Sequence, residues 1–327
     1  MNRSALITGA TGFVGSHLAE HLVQTGWAVR ALVRRSSRRT LLEQLGVALH
    51  EGDLQDGAAI ARAAAGVEVV FHLAAVTFAP SEEVFRAANA AGTRTLLDGV
   101  LAAHPRPERL VYLSSYAACG PSRASRPRGT DEVPAPLTAY GRSKLEGERV
   151  AREAERHGIR VVVLRAPPVY GPRDRALLSY FRLVKYGLAP VPAGAEGRTL
   201  HLIYAPDLAR ALARAADAPG GTYPVAEPVE HPWPALIDSI ARAMHRRPLR
   251  LALPVPLVRT AAALTESIGN LAGNTPAFNR EKAEEMLAEA WTCDLSRSAV
   301  LLPPAEATPL AQGMAQTVEW YTRQGWL

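Results

Sequence analysis

Cysteine and lysine are scarce in this sequence. Its 327 residues include only two cysteines, Cys119 and Cys293, and only three lysines, at positions 144, 185 and 282. Two cysteines so far apart form neither a disulfide framework nor a thiolate metal site, which suits a reducing compartment. No group of His, Asp and Glu has the spacing of metal ligands either, so we expect no metal.

The sequence also lacks a long apolar run. No stretch of about 18 uninterrupted apolar residues is present, so we expect no membrane span. The nearest candidate, residues 249–264, is broken by Pro254 and Pro256 and carries Arg250 and Arg259. We favour a buried or lid helix there, with contact to a membrane surface as the alternative. A strand is predicted from Ala5 onward, so we expect no signal peptide and a cytoplasmic location.

The charge is basic, with 37 Lys and Arg against 31 Asp and Glu, a net +6. Most of the arginines are scattered along the chain. One cluster is tight and consists of Arg34, Arg35, Arg38 and Arg39. Because the remaining basic residues are dispersed, the pattern indicates one local anion site rather than a nucleic-acid surface, and we expect no nucleic-acid partner.

A glycine-rich turn near the start organises the chain. Ala5 to Ile7 predict a short buried strand, residues 16–24 predict a helix, and the glycines Gly9, Gly12 and Gly15 lie between them. In this context the first glycine permits a tight turn, the second lets a pyrophosphate approach the backbone, and the third allows close helix–strand packing. The free N–H groups at the helix start then face the phosphates. The motif therefore predicts a dinucleotide site.

Strands and helices alternate through residue 216, which predicts an α/β fold with a doubly wound parallel sheet of about seven strands. Proline and glycine then interrupt the pattern, and proline-separated helices follow residue 232. We predict a dinucleotide-binding domain formed by residues 1–170 and 199–226. Residues 171–198 and 227–327 are predicted to form a smaller, interleaved substrate-binding lobe.

A tyrosine, a lysine and a serine form the predicted catalytic set. Tyr140 and Lys144 are four residues apart on a predicted helix and so share one face. A nearby ammonium group stabilises a phenolate and lowers its pKa, which lets the tyrosine exchange a proton with a substrate oxygen. Ser115 ends a predicted strand, where it can hold that oxygen.

These motifs together resemble the extended short-chain dehydrogenases/reductases, the superfamily of nucleotide-sugar epimerases, dihydroflavonol reductases and 3β-hydroxysteroid dehydrogenases. The resemblance covers essentially the whole chain and is closest to the dihydroflavonol reductase and hydroxysteroid dehydrogenase branch. It implies that Ser115, Tyr140 and Lys144 are catalytic and that Lys144 also binds the nicotinamide ribose. Together with the motif analysis, it gives the cofactor-binding set Gly9, Thr11, Gly12, Phe13, Val14, Gly15, Arg34, Asp53, Leu54, Leu73, Ala74, Ala75, Tyr140, Lys144, Pro167 and Val169.

The end of the second predicted strand indicates which cofactor is used. Family members that prefer NAD(H) place an acid near Val33, and this chain has none there. Arg34 follows directly, as in dihydroflavonol reductases, and arginine pairs well with a 2′-phosphate. We therefore predict NADP(H) rather than NAD(H).

The resemblance leaves two substrate classes open. Nucleotide-sugar enzymes use an arginine to grip a diphosphate, and here the nearest one, Arg198, is displaced by two residues from that position. The loops expected to line the pocket are apolar, which favours a small hydrophobic substrate; they contain Val76, Thr77, Phe78, Tyr116, Val169, Leu177, Leu178 and Phe181. We predict an NADP(H)-dependent reductase or dehydrogenase that acts on a carbonyl or secondary hydroxyl. The alternatives are a nucleotide-sugar epimerase or dehydratase with the same catalytic set, and a non-catalytic dinucleotide sensor or RNA-binding relative.

Other polar residues receive structural interpretations. We expect His72 to be a hydrogen-bonded core histidine and Asp207 to cap the helix after it. Asn89 has two possible roles, in a proton relay or in helix packing. In the family, the helices corresponding to residues 82–102 and 140–155 often pair across a twofold axis, so we expect a homodimer.

Overall fold

The fold was taken from a computed structural model that describes residues 3–124, 126–271, 276 and 278–327. Seven parallel strands form its central sheet, in the order β11-β6-β5-β4-β1-β2-β3. Their bounds are Ser4–Thr8 (β1), Ala28–Val33 (β2), Ala48–Glu51 (β3), Val69–His72 (β4), Arg109–Ser115 (β5), Arg160–Ala166 (β6) and Gly221–Pro224 (β11). The predicted doubly wound parallel sheet is confirmed.

The other strands are short and form three small sheets, β7 with β10, β12 with β9 and β14, and β13 with β8. Their bounds are Val169–Tyr170 (β7), Leu188–Pro192 (β8), Thr199–Leu200 (β9), Ile203–Tyr204 (β10), His231–Pro232 (β12), Leu249–Leu253 (β13) and Ala290–Trp291 (β14). The strand that the sequence predicts around residues 200–203 is thus split between two small sheets. The division into two domains stays a prediction.

The described chain has α-helices on both faces of the central sheet. Their bounds are Phe13–Gln24 (α1), Thr40–Gln44 (α2), Gly57–Ala64 (α3), Glu82–Arg86 (α4), Gly92–Ala102 (α5), Tyr116–Cys119 (α6), Ala139–Arg152 (α7), Leu178–Lys185 (α8), Ala205–Ala215 (α9), Trp233–Ala243 (α10), Val255–Leu271 (α11), Arg280–Leu287 (α12) and Leu310–Arg323 (α13). Helices α1 and α9 pack on one face, and α3, α5 and α7 lie on the other. Apolar strands such as β4 are therefore buried on both sides.

The long helix predicted over residues 82–102 contains a π-helical turn, Ala87–Ala91, between α4 and α5. A π turn inserts one extra residue into a helix and often marks a functional position. Asn89 lies in this turn and is buried.

The prediction that Asp207 caps its helix is wrong. Helix α9 begins after Tyr204, and Asp207 already lies in its first turn. Its carboxylate accepts hydrogen bonds from the backbone and side chain of Thr308, at 2.6 and 2.8 Å, and contacts Arg210 at 2.9 Å. Asp207 therefore fastens the segment before α13 to helix α9.

A third cluster of buried side chains includes Tyr170, Phe181, Leu236, Met314 and Tyr321, and we call the region around it the smaller lobe. Helices α8, α10 and α13 enclose this core. None of the helices within the described residues is long and apolar enough to cross a membrane.

Candidate active site

The strand order reverses between β1 and β4, which leaves a crevice at the carboxyl ends of the strands. The predicted cofactor residues lie along this edge. Gly9 to Gly15 follow β1, Arg34 follows β2, Asp53 and Leu54 follow β3, Leu73 to Ala75 follow β4, and Pro167 and Val169 follow β6. The sheet thus brings together residues from five segments of the chain.

The glycine turn fits a pyrophosphate. Gly9 has a φ of +77°, and a Cβ on it would lie 2.6 Å from the Ala74 nitrogen, while a Cβ on Gly15 would lie 2.1 Å from the Gly9 oxygen. The N-cap of helix α1 is Gly12, so the helix has no side-chain cap, and its first turn contains no acid. Its first N–H groups are therefore available to phosphate oxygens, which favours a bound dinucleotide.

At the end of β2, Val33 is buried and Arg34 is exposed. Of the four clustered arginines that follow β2, Arg39 forms an ion pair within the described residues, with Glu51 at 3.2 Å. Asp53, another residue of the predicted cofactor-binding set, accepts a hydrogen bond from the Gln55 nitrogen at 2.7 Å. This corner of the crevice is cationic, which supports binding of an anionic group.

The residues of the predicted catalytic set lie at the starts of two helices, α6 and α7. Ser115 ends β5 and accepts a hydrogen bond from the Ala117 nitrogen at 3.1 Å. Tyr140 lies in the first turn of α7, whose cap Thr138 accepts from the Gly141 nitrogen at 3.2 Å. A Cβ on Gly141 would lie 2.2 Å from the Ala117 oxygen, so α6 and α7 pack closely. This packing places Tyr140 beside Ser115.

Lys144 lies one turn after Tyr140 on helix α7 and is buried. Its Nζ donates to the Leu113 carbonyl at 2.7 Å and lies 4.3 Å from the centre of the Tyr112 ring. Burial lowers the Lys144 pKa to about 7, although the Glu148 carboxylate acts in the opposite direction. The lysine therefore changes its charge near neutral pH.

The structure differs from the sequence-based expectation for the Tyr140 pKa. Desolvation, followed by the charge of Glu285, raises it to about 12, and a hydrogen bond with Ser115 acts in the opposite direction. We expected Lys144 to lower it. The difference arises because the complete burial of the phenol disfavours its charged form and outweighs the hydrogen bond with Ser115.

Three further polar groups support helix α7, and one of them, Glu148, was missed in the sequence. Glu148 on α7 makes two hydrogen bonds with Arg165 of β6, at 2.9 and 2.8 Å, and accepts another from Ser114. Both side chains of the ion pair are almost completely buried. Glu148 follows Lys144 by four residues, and that spacing was the available signal.

Asn89 joins the turn after β4 to α7. Its amide donates to the Val76 carbonyl and to the Ser143 hydroxyl, both at 2.9 Å, and its oxygen accepts from the Val76 nitrogen at 2.8 Å. Of the two roles considered, this arrangement supports packing.

His72 is a hydrogen-bonded core histidine, as predicted. Its ring nitrogens contact Thr8 at 2.7 Å and Thr93 at 3.0 Å. Burial, and then the charge of Lys144, lower its pKa to about 3. His72 therefore stays neutral in the folded protein.

The burial of neutral His72 predicts that acid destabilises the fold. Below pH 6.5 the unfolded His72 binds a proton, but the folded one does not until about pH 3. The free energy of unfolding should therefore fall with pH, by about 1.4 kcal/mol per pH unit for this residue. Urea denaturation at several pH values in this range measures the free energy of unfolding. We expect it to depend less steeply on pH in His72→Asn than in the unmodified protein. The control His157→Asn changes an exposed histidine and should show the same pH dependence of the free energy of unfolding as the unmodified protein. Equal pH dependence in all three proteins would contradict the assignment of a buried neutral His72.

Helix α12 contacts the start of helix α7. Glu281 accepts a hydrogen bond from the Ala139 nitrogen at 2.6 Å, and Glu285 accepts one from the Thr138 hydroxyl at 3.3 Å. Lys282 contacts Glu285 at 3.0 Å. Helix α12 thus binds the start of the catalytic helix, a contact between distant segments that the sequence pattern did not indicate.

The side chain of Arg198 makes hydrogen bonds with the backbone of the protein. Its guanidinium donates to the carbonyls of Leu287, at 3.2 Å, and Ala193, at 3.0 Å. Two residues expected in the apolar pocket wall, Leu178 and Phe181, instead fill the core of the smaller lobe, because α8 directs its apolar face inward.

The two cysteines lie together. Their sulfur atoms are 3.9 Å apart, and both thiols are buried beside Tyr116. Cys119 belongs to α6 and Cys293 follows β14, so the contact joins the catalytic region to the smaller lobe. Their distance in sequence concealed this proximity.

Comparisons with known proteins place these observations in a family. The model of the NAD dependent epimerase/dehydratase family matches residues 5–226. The chain is 32% identical to a ceramide reductase of Caulobacter vibrioides, over 98% of this chain and 95% of that protein. It is 36% identical to a putative dihydroflavonol 4-reductase of Synechocystis sp., over 51% of this chain and 50% of the relative.

A solved structure supports the fold assignment. The UDP-glucuronic acid 4-epimerase of Bacillus cereus, in complex with NAD, superposes with a TM-score of 0.76 at 19% identity, covering 98% of this chain and 99% of that one. The family match spans most of the chain, and the fold agrees with it. The chain therefore belongs to the NAD-dependent epimerase/dehydratase family.

Proposed function

We propose that this protein is an NADP(H)-dependent oxidoreductase that interconverts a carbonyl and a secondary hydroxyl on a small, largely hydrophobic substrate. The observation that carries the proposal is the position of Arg198. Its guanidinium donates to two backbone carbonyls, which hold it against the protein and leave it fewer N–H groups for a substrate diphosphate. This argues against a nucleotide sugar.

The names of two relatives agree with this choice. A ceramide reductase and a putative dihydroflavonol 4-reductase are both similar to the chain. The side chains beside Tyr140 are also apolar, since Val76, Ala79 and Phe85 pack there with Ala139. An apolar wall with few polar groups suits a hydrophobic carbonyl compound.

Each residue of the site has its own role in the proposed reaction. The start of α1 binds the pyrophosphate, Ser115 orients the substrate oxygen, and Tyr140 donates a proton to it during reduction. Lys144 supplies positive charge and binds the nicotinamide ribose. The bound cofactor supplies the hydride.

A substrate screen tests the proposal. Purified protein would be mixed with NADPH and with ketones, aldehydes, steroids or UDP-sugars in separate assays. We expect loss of NADPH absorbance with apolar carbonyl compounds. Epimerisation of a UDP-sugar, with no reduction of any carbonyl compound, would contradict it.

The preference for NADP(H) is the finer part of the proposal. Replacing Arg34 with alanine should weaken NADPH binding by about tenfold to hundredfold, since it removes a charge-assisted hydrogen bond to the 2′-phosphate. NADH binding should be nearly unchanged. Fluorescence titration of both cofactors measures the two affinities, and salt should reduce the NADPH advantage because exposed charges are screened.

Arg106→Ala is the matched control, because Arg106 is exposed and remote in sequence from the arginine cluster. It should leave both affinities unchanged. If the unmodified protein bound NADH as tightly as NADPH, the cofactor assignment would be wrong. The homodimer predicted from the family stays a prediction.

A further inference from the structure

The first turn of helix α7 is bound by side chains from a distant helix. The Ala139 nitrogen donates to a Glu281 carboxylate oxygen at 2.6 Å, although the two residues are 142 positions apart in the chain. The Thr138 hydroxyl donates to Glu285 at 3.3 Å. Both carboxylates belong to α12, where their spacing of four residues places them on one face. Helix α12 therefore holds the end of α7 that carries Tyr140.

These contacts satisfy the start of α7. The N–H groups of a first helical turn have no partner within the helix. Here the Gly141 nitrogen donates to the Thr138 hydroxyl oxygen at 3.2 Å, and Glu281 accepts from Ala139. Because Glu285 accepts the Thr138 hydroxyl proton, a lone pair of that oxygen is left for Gly141. The helix dipole also favours two carboxylates at this end.

Helix α12 is itself fixed at its carboxyl end. The Arg198 guanidinium donates to the carbonyl of Leu287, the last residue of α12, at 3.2 Å. The indole nitrogen of Trp291 donates to the Glu285 carbonyl at 2.7 Å. Both carbonyls lie in the last turn, where a helix leaves its C=O groups without internal partners. A side chain that projects from α12 toward α7 is therefore held at a defined place.

Tyr140 follows these contacts directly in the chain. Its ring packs against Phe85, with 5.9 Å between the ring centroids. Its pKa is raised first by burial and second by the charge of Glu285, so that carboxylate is close enough to act on the phenol. A shift of the first turn of α7 would move the hydroxyl, and a displacement of about 1 Å can lower a rate about a hundredfold.

We propose that Glu281 and Glu285 are positioning residues, which fix the first turn of α7 and thereby hold the Tyr140 hydroxyl in place for proton transfer. Helix α7 already has its own cap, Thr138, and packs closely on α6. The two carboxylates are therefore additional to what starts the helix, and their contacts fall on the two residues before the tyrosine. Their effect on the rate rests on the proposed function, whereas their effect on α7 does not.

Replacing Glu281 with alanine tests the proposal in kinetics. The variant removes the acceptor of the Ala139 nitrogen, so kcat for ketone reduction should fall about tenfold. The KM for the ketone and the affinity for NADPH should change little, because the lost contact matters in the transition state. Glu281→Gln keeps an acceptor oxygen and should retain most of the parental kcat. Glu285→Ala and Glu285→Gln should differ from each other in the same way.

Glu284 supplies the matched control. It lies on the same helix, but it pairs with Arg259 of α11, at 2.8 Å. Glu284→Ala should retain the parental kcat. An equal loss of kcat in Glu284→Ala and Glu281→Ala would mean that both act through the general stability of α12, and it would overturn the proposal. So would a parental kcat in Glu281→Ala.

A double variant tests whether Glu281 acts through the tyrosine. In a protein that carries Tyr140→Phe, the hydroxyl to be positioned is already gone. Adding Glu281→Ala should therefore leave the residual rate of Tyr140→Phe unchanged. A further loss of about tenfold, as large as in the parental background, would show that Glu281 acts through another group and would overturn its assignment.

Hydrogen exchange separates this inference from the proposed function. Mass spectrometry of a peptide that covers residues 134–146 follows the amides of the first turn of α7 without any substrate. Exchange should be roughly tenfold faster in Glu281→Ala, the equivalent of one charge-assisted hydrogen bond, and unchanged in Glu284→Ala. Equal exchange in these two variants and the unmodified protein would overturn the inference even if ketones were reduced. Faster exchange in Glu281→Ala, with no carbonyl compound reduced by the unmodified protein, would overturn the proposed function alone.

Discussion

Replacing Tyr140 with phenylalanine should lower kcat for ketone reduction by about a hundredfold or more, the usual contribution of a positioned acid–base group. The ring keeps its packing against Phe85, and only the hydroxyl is lost. Because the Tyr140 pKa is raised to about 12, the phenol is protonated at neutral pH and ready to donate. Steady-state rates with saturating NADPH measure the effect.

Two controls accompany this variant. Tyr186→Phe removes the hydroxyl of an exposed tyrosine and should retain the parental rate. Fluorescence titration should give nearly parental NADPH affinity for Tyr140→Phe, since the pyrophosphate and adenosine contacts are unchanged. A Tyr140→Phe enzyme that turned over at the parental rate would refute the proton-transfer role.

Removing the charge of Glu148 should strongly destabilise the fold. Glu148→Gln leaves the Arg165 guanidinium buried opposite a neutral amide, and breaking a buried pair in this way costs about 3–5 kcal/mol. The midpoint of urea denaturation should fall accordingly. Replacing both partners, Glu148→Leu with Arg165→Met, should recover much of that stability because no uncompensated charge remains.

The same helix supplies a control for this measurement. Arg142 of α7 contacts Glu82 at 2.7 Å, but both side chains are about half exposed. Glu82→Gln should therefore cost less than about 1 kcal/mol. Equal losses for Glu82→Gln and Glu148→Gln would mean that burial does not set the strength of these pairs.

Local sequence patterns predicted the sheet and the edge at which the site lies. The turn from Gly9 to Gly15 is encoded locally, because a strand, three glycines and a helix start are contiguous. Ser115, Tyr140 and Lys144 were likewise recognisable because strand ends and helix spacing are short-range features. The sheet then collects these segments at its carboxyl edge.

Long-range polar contacts could not be predicted in this way. The sequence pattern puts Asp207 between a predicted strand and a predicted helix, the usual position of a cap, yet in the structure it lies inside α9 and its partner is Thr308. Glu281 contacts the start of α7 through a backbone nitrogen, which leaves no mark in the sequence. Arg198 was considered as a diphosphate ligand from its place in the sequence alone. Its actual partners are backbone carbonyls, whose position depends on tertiary packing and could not be predicted.

The paired burial of Cys119 and Cys293 has a practical consequence for spectroscopy. The native chain presents almost no thiol surface to a maleimide reagent, since the two residues are 1% and 4% exposed. One cysteine introduced at an exposed position such as Leu264 would then be the single rapidly labelled site. An environment-sensitive fluorophore attached there would report directly, without removal of either native cysteine, when that face of α11 leaves water.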